Sequence, residues 1–296
     1  MFLHTDLFLT ALAPAIWGST YLVTTELLPD GYPVTVAMLR ALPAGLILLL
    51  IVRQVPPRAW LGKIALLGAL NFSVFWTLLF VAAYRLPGGV AATVGAVQPL
   101  IVIFLAQAFI GSPVRALSVL AALAGMGGVA LLVLTPSAEL DFVGVVAGLG
   151  GALSMAAGTV LSRKWQPPAS PLTFTAWQLT AGGLLLVPLS LLIEPPLPQL
   201  SADNMLGFAY LGLIGAALTY FLWFRGIGRI EPSAVSALGF LSPVTALILG
   251  WWVLGQHLSS LQIIGFVTVL TSVCLSQWSA ARPRRVRHSR SLPSPS

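Results

Sequence analysis

Ten apolar runs of about 20 residues fill almost the whole chain, at 7–26, 33–53, 61–83, 88–110, 114–134, 142–163, 171–193, 203–224, 233–254 and 261–280. As a helix rising 1.5 Å per residue, each is long enough to cross the roughly 30 Å hydrocarbon layer of a bilayer. Only 8% of the residues are charged and 57% are hydrophobic, whereas a soluble chain carries about 25% charged residues. No water-soluble core holds that much apolar surface, so the solvent for these runs is lipid. The expected fold is an all-α integral membrane protein of ten transmembrane helices.

The connections are short, and their charges set an orientation. Thirteen of the fifteen Lys and Arg residues fall on one side: Arg53, Arg58, Lys63, Arg115, Arg163, Lys164, Arg225, Arg229 and five in the tail. The other side has Arg85 alone, together with Glu26, Asp30, Glu139, Asp141, Glu194 and Asp203. Cytoplasmic loops are the Lys- and Arg-rich ones, so both termini are expected in the cytoplasm and the protein in a bacterial inner membrane. The net charge of +7 forms no patch for nucleic acid. The tail at 281–296 is basic and rich in Pro and Ser, a composition expected to be disordered and to meet anionic lipid.

The stretch 86–111 returns at 230–255, 144 residues later, pairing Gly95 with Gly239, Pro99 with Pro243 and Gly111 with Gly255. Pro33 and Gly45 answer to Pro171 and Gly183, Gly68 to Gly212, and Gly18 to Gly158. Residues 1–134 and 135–280 thus read as two repeats of five helices. Five is odd, so the second repeat enters the membrane upside down, the inverted architecture of many secondary transporters. A helical proline has no N–H and crowds the carbonyl four residues back. Pro99 and Pro243, near the centres of the fourth and ninth runs, are expected to be hinges that leave the carbonyls of Gly95 and Gly239 free.

The stretches AIWGSTYLVT at 15–24, the alanine-to-QPL stretch ending at Leu100, and YFLWFRGIGRIEPSAVSALGFLSPV at 220–244 resemble the EamA-type members of the drug/metabolite transporter superfamily. The resemblance covers 7–280. Within the superfamily the chain is similar to bacterial exporters of aromatic and other neutral amino acids. It implies an exporter of small neutral or zwitterionic metabolites working by alternating access; a drug or nucleobase-type carrier of the same fold is the alternative, and a non-transporting sensor a more distant one.

Candidate substrate-binding residues are the polar, aromatic and small groups near mid-membrane: Trp17, Ser19, Asn71, Phe72, Phe75, Trp76, Gly95, Gln98, Tyr220, Gly239 and Ser242. Carbonyls suit a ligand ammonium, and Asn, Gln and Ser donors suit its carboxylate. Trp76 and Tyr220 read either as outer and inner gates or as core packing. Seven other tryptophans (Trp60, Trp165, Trp177, Trp223, Trp251, Trp252 and Trp278) lie near helix ends, where indoles settle at the lipid interface. Arg40 is the one charge well inside an apolar run. It reads either as a carboxylate anchor or as a side chain reaching outward to Glu26 or Asp30.

The small-residue stripes Ala121/Gly125, Ala124/Gly128 and Gly144/Gly148 suit close packing of helices five and six within a monomer, with dimerisation left open. No acid lies deep in a helix, so transport is expected to be driven by the solute gradient, without a proton. No HExxH, GxSxG or Cys/His cluster occurs, so neither an enzyme nor a metal or other cofactor is expected. The Gly125-x-Gly127-x-x-Ala130 match to a dinucleotide fingerprint lacks a preceding strand. The lone Cys274 excludes an internal disulfide.

Overall fold

Without a hydrophobic force between helices in lipid, close backbone approach and polar contacts decide how the helices pack. The computed structural model describes residues 2–86, 88–133, 141–255 and 257–281; the basic tail lies outside these. Among the described residues, ten helices are long and apolar enough to cross a membrane: α1 (His4–Leu27), α2 (Pro33–Val52), α3 (Arg58–Ala83), α4 (Ala91–Ile110), α5 (Ala116–Val133), α6 (Phe142–Lys164), α7 (Pro171–Ile193), α8 (Ala202–Ile227), α9 (Pro232–Val253) and α10 (Ser260–Ala281). The described residues contain no strand. The outer surface is apolar, with Leu50 75% and Leu192 83% exposed, as expected of side chains that meet acyl chains.

The centre is the antiparallel pair α2 and α7, which touch through glycine. A Cβ at Gly45 would lie 2.5 Å from Thr180 N, and one at Gly183 would lie 2.6 Å from Leu42 Cα. The two contacts are reciprocal: Gly183 stands 138 residues after Gly45, and Thr180 stands 138 after Leu42. The pair is tied at both ends. The Glu194 carboxylate accepts from Val34 N (2.6 Å) and Thr35 N (2.7 Å) at the start of α2, where free N–H groups favour an anion. The Trp177 indole donates to Gln54 O at 2.6 Å just past the end of α2.

A second reciprocal pair joins α5 to α10. A Cβ at Gly128 would lie 3.0 Å from Val269 N, and one at Gly265 would lie 2.9 Å from Leu132 N. Here too each partner follows its counterpart by one offset, 137 residues from Gly128 to Gly265 and from Leu132 to Val269. The stripes expected to pack helices five and six thus serve separate neighbours. The α6 stripe instead faces α3 and α4, with Gly148 against Val94 and Gly151 against Leu78.

Five of the helices are interrupted. The chain of α1 breaks at Gly18, between Phe2–Trp17 and Ser19–Leu27. Gly18 packs on α9, where a Cβ would meet Ser242 O at 2.5 Å and Ala246 N at 2.9 Å. The α4 and α9 breaks fall next to the prolines, at Ala96–Val97 and Gly239–Phe240. The expected free carbonyl at Gly239 is overturned, because it accepts Ser242 N–H at 3.1 Å. Where proline removes the N–H four residues on, the N–H three residues on closes a tighter turn. The same tightening appears beside Gly95, where Leu100 N–H donates to Val97 O at 3.0 Å. The Gly95 Cα itself faces open space.

The remaining two interruptions fall at no proline and leave no local mark in the sequence. Each of α3 and α8 contains a π-helical turn, at Ala69–Ser73 and Leu213–Leu218. The turns start 144 residues apart, the spacing that relates 86–111 to 230–255. Such turns are rare and frequent at functional sites.

Candidate substrate site

The π-turns strip carbonyls of their usual partners, and side chains from neighbouring helices or from the next turn take them. In α3, Leu70 O accepts the Ser154 hydroxyl at 2.8 Å. In α8, Gly215 O accepts Arg40 Nη2 at 2.7 Å and the Thr219 hydroxyl at 2.8 Å. Arg40 therefore reaches across to α8, and its guanidinium stacks 5.1 Å from the Trp76 ring centroid. The charge is held by a carbonyl dipole and a π-face.

Thr219 continues the chain of bonds. It accepts the Trp17 indole N–H at 2.9 Å, so the break in α1 is aligned to the π-turn of α8. Trp17 then joins an aromatic group built from three helices. Its ring lies 4.9 Å from Tyr220 and 5.2 Å from Trp223, and Tyr220 lies 4.6 Å from Phe72 and 5.8 Å from Phe224. Trp76 stands edge-on to Phe72 at 5.3 Å. These are the offset and edge-to-face separations that ring quadrupoles favour. Phe72, Trp76, Tyr220, Trp223 and Phe224 are buried, while Trp17, Ser19 and Phe75 stay partly exposed. The Ser19 hydroxyl donates to Ile16 O and shares a 2.7 Å bond with the Tyr210 hydroxyl.

Beside the rings lies a buried polar group. Asn71 Nδ2 donates to Gln178 Oε1 at 2.8 Å and to Ser162 Oγ at 3.2 Å. Asn71, Thr159, Ser162 and Gln178 are fully buried. Among the described residues, Asn71 Oδ1, Gln178 Nε2 and Thr159 Oγ1 have no hydrogen-bond partner, and neither has the buried Trp223 indole N–H. Each interhelical bond of this kind contributes about 0.6 kcal/mol in a membrane.

Of the residues singled out from sequence, Trp17, Phe72, Trp76 and Tyr220 come together, with Phe75 packed against them. Ser242 and Gly239 sit on α9, with Ser242 O against Gly18. Gly95 and Gln98 lie on α4 and make no ring or hydrogen-bond contact to the group among the described residues. Two tryptophans expected at the lipid interface are core residues: Trp223 is 1% and Trp177 5% exposed. Position near a helix end set their depth but not the direction they face. Thr219 and Gln178, polar groups that the sequence places inside α8 and α7, join the site, and Phe224 is a member that no sequence feature singled out. The repeat makes Gln178 the counterpart of Arg40, 138 residues later, and both side chains reach from the central pair to a π-turn.

A ten-helix bundle interrupted at matched places around a buried aromatic and polar centre is the build of a multi-pass membrane transporter. The EamA-like transporter family matches residues 5–134 and again 142–278, and the chain belongs to that family. Protein PecM of Dickeya dadantii (strain 3937) is 46% identical over 267 residues, covering 90% of each chain. The uncharacterized inner membrane transporter YedA of Escherichia coli (strain K12) is 28% identical over 265 residues, covering 88% of this chain and 86% of that one. A solved crystal structure superposes with a TM-score of 0.80 over 94% of this chain and 99% of that one. At 18% identity it bears on the fold alone.

Proposed function

We propose that the chain exports small neutral or zwitterionic solutes, aromatic and other neutral amino acids first, by alternating access of two inverted halves. The observation that carries the reading is the aromatic group, where the broken α1 and the π-turned α3 and α8 meet beside hydrogen-bonding side chains. In this reading the apolar ring of a solute packs against Trp17, Phe72, Phe75, Trp76 and Tyr220 once these rings part, and the polar ends of a zwitterion are bound by Ser19, Asn71, Gln98, Ser242 and the carbonyls near Gly95.

The reciprocal glycine contacts support the inverted arrangement. A two-fold axis exchanges residue pairs in this way, and helix pairs that run antiparallel require the axis to lie in the membrane plane. In this reading α2 and α7 form the fixed spine, and α4 and α9 move at Pro99 and Pro243.

Two measurements test it. In proteoliposomes loaded with unlabelled solute, counterflow of labelled phenylalanine or tryptophan is expected, with no loss when a pH gradient is dissipated. Uptake of organic cations alone refutes the substrate class. For orientation, in a Cys274→Ala background, Asp203→Cys is expected to react with a membrane-impermeant maleimide in intact cells and Lys63→Cys only after lysis. The reverse pattern places the termini outside.

A further inference from the structure

A cleft of about 580 Å³ opens at the end of the bundle where the loop Lys and Arg gather, lined by Ile110, Ser112, Arg115, Arg163, Lys164 and Glu231 among others. It lies where the end of α4, the start of α5, the end of α6 and the start of α9 converge. Its charges do not cancel. Arg115 Nη1 meets Glu231 Oε2 at 3.0 Å and donates to Ser279 O at 2.6 Å, which fixes that guanidinium on the wall. Arg163 Nη1 donates to Ile227 O at 2.8 Å, a neutral partner that leaves its charge in place. Lys164 Nζ stands 5.5 Å from the ring centroid of Phe109, a side chain 48% exposed on the outer face of α4. Among the described residues, neither Arg163 nor Lys164 has a carboxylate within ion-pair distance.

We propose that this cleft binds a phosphate ester, supplied by the headgroup of an anionic phospholipid in the adjoining leaflet. Three cations and one acid leave an uncompensated double positive charge in a cleft with room for a headgroup. A guanidinium offers paired N–H donors to phosphate oxygens, and an ammonium offers a compact charge beside them. The Ser112 hydroxyl adds a neutral donor. Lys164 over an outward-facing ring marks the level where hydrocarbon gives way to headgroups. That the leaflet is the cytoplasmic one, rich in anionic lipid, rests on the orientation proposed above. Because Arg115 and Glu231 join the start of α5 to the start of α9, a bound phosphate would compete with Glu231 for Arg115 and loosen that tie.

The test is native mass spectrometry of the detergent-purified full chain, titrated with phosphatidylglycerol, phosphatidylcholine or soluble glycerol 3-phosphate. Phosphatidylglycerol is expected to be retained in preference to phosphatidylcholine. The Arg163→Ala/Lys164→Ala double variant is expected to weaken that retention about twenty-fivefold, at about fivefold per basic residue. Arg58→Ala/Lys63→Ala, outside the cleft, should change nothing, and matched melting temperatures show that the variants fold. Equal retention of both lipids, or a double variant that holds phosphatidylglycerol like the parent, overturns the site. Competition by glycerol 3-phosphate with no lipid preference upholds the phosphate chemistry and overturns the lipid source. The measurement involves neither transport nor sidedness, so a failure of the exporter reading or of the maleimide pattern is told apart from a failure here.

Discussion

Gly45→Val is expected to leave little or no folded protein in detergent extracts, and Gly183→Val the same. At each position a Cβ would sit 2.5 to 2.6 Å from backbone atoms of the facing helix, and backbone cannot swing aside as a side-chain tip can. The helices must separate, which costs about 1–3 kcal/mol in a well-packed core and sometimes more. The strain also misaligns the Glu194 and Gln54 ties at the two ends. Gly62→Val, at a glycine with nothing within 4 Å of its Cβ position, is the control that should retain yield. Fluorescence-detected gel filtration and a thermal ramp measure both. A Gly45→Val protein with the parent's elution profile and melting temperature would show that α2 and α7 need not touch.

The second large effect is expected at Tyr220. Its ring contacts Trp17, Phe72, Trp76 and Phe224 at centroid separations of 4.6 to 6.2 Å. Aromatic pairs contribute about 0.5–1.5 kcal/mol each beyond area burial. Tyr220→Leu keeps an apolar side chain there but removes every such pair. Counterflow should fall at least about tenfold, since about 1.4 kcal/mol suffices for that. Tyr220→Phe, which keeps the ring, should stay close to the parent. If Tyr220→Leu transports normally while remaining folded, the aromatic group is ordinary core, the second reading that sequence left open.

The spans were legible because their signal is one-dimensional: length and the lack of charge fix each crossing without reference to neighbours. The prolines located the α4 and α9 breaks to within a few residues for the same local reason. What they could not reveal was the fate of the nearby carbonyls, because Ser242 N–H closes on Gly239 O once the chain tightens. Facing direction was the weaker inference. In helices that are apolar all round, the 3.6-residue period loses contrast, so Trp177 and Trp223 looked like interface residues and are core. Arg40 stood out as a charge, but its partner is a carbonyl made available by a π-turn 175 residues away, a purely tertiary fact.

Those π-turns have a consequence for comparison and construction. Each amounts to one residue inserted into a helix, and an insertion turns everything after it by about 100° about the helix axis. The residues that follow, Trp76 in α3 and Tyr220 in α8, therefore owe their angular phase to the turns before them. A relative lacking either turn aligns only with a single-residue gap in mid-helix, where gaps are ordinarily refused. A chimaera should carry 69–73 or 213–218 whole from one parent. A crossover inside either stretch could drop the extra residue and swing the aromatic face toward lipid, with every apolar residue still apolar and nothing in the composition to mark the fault.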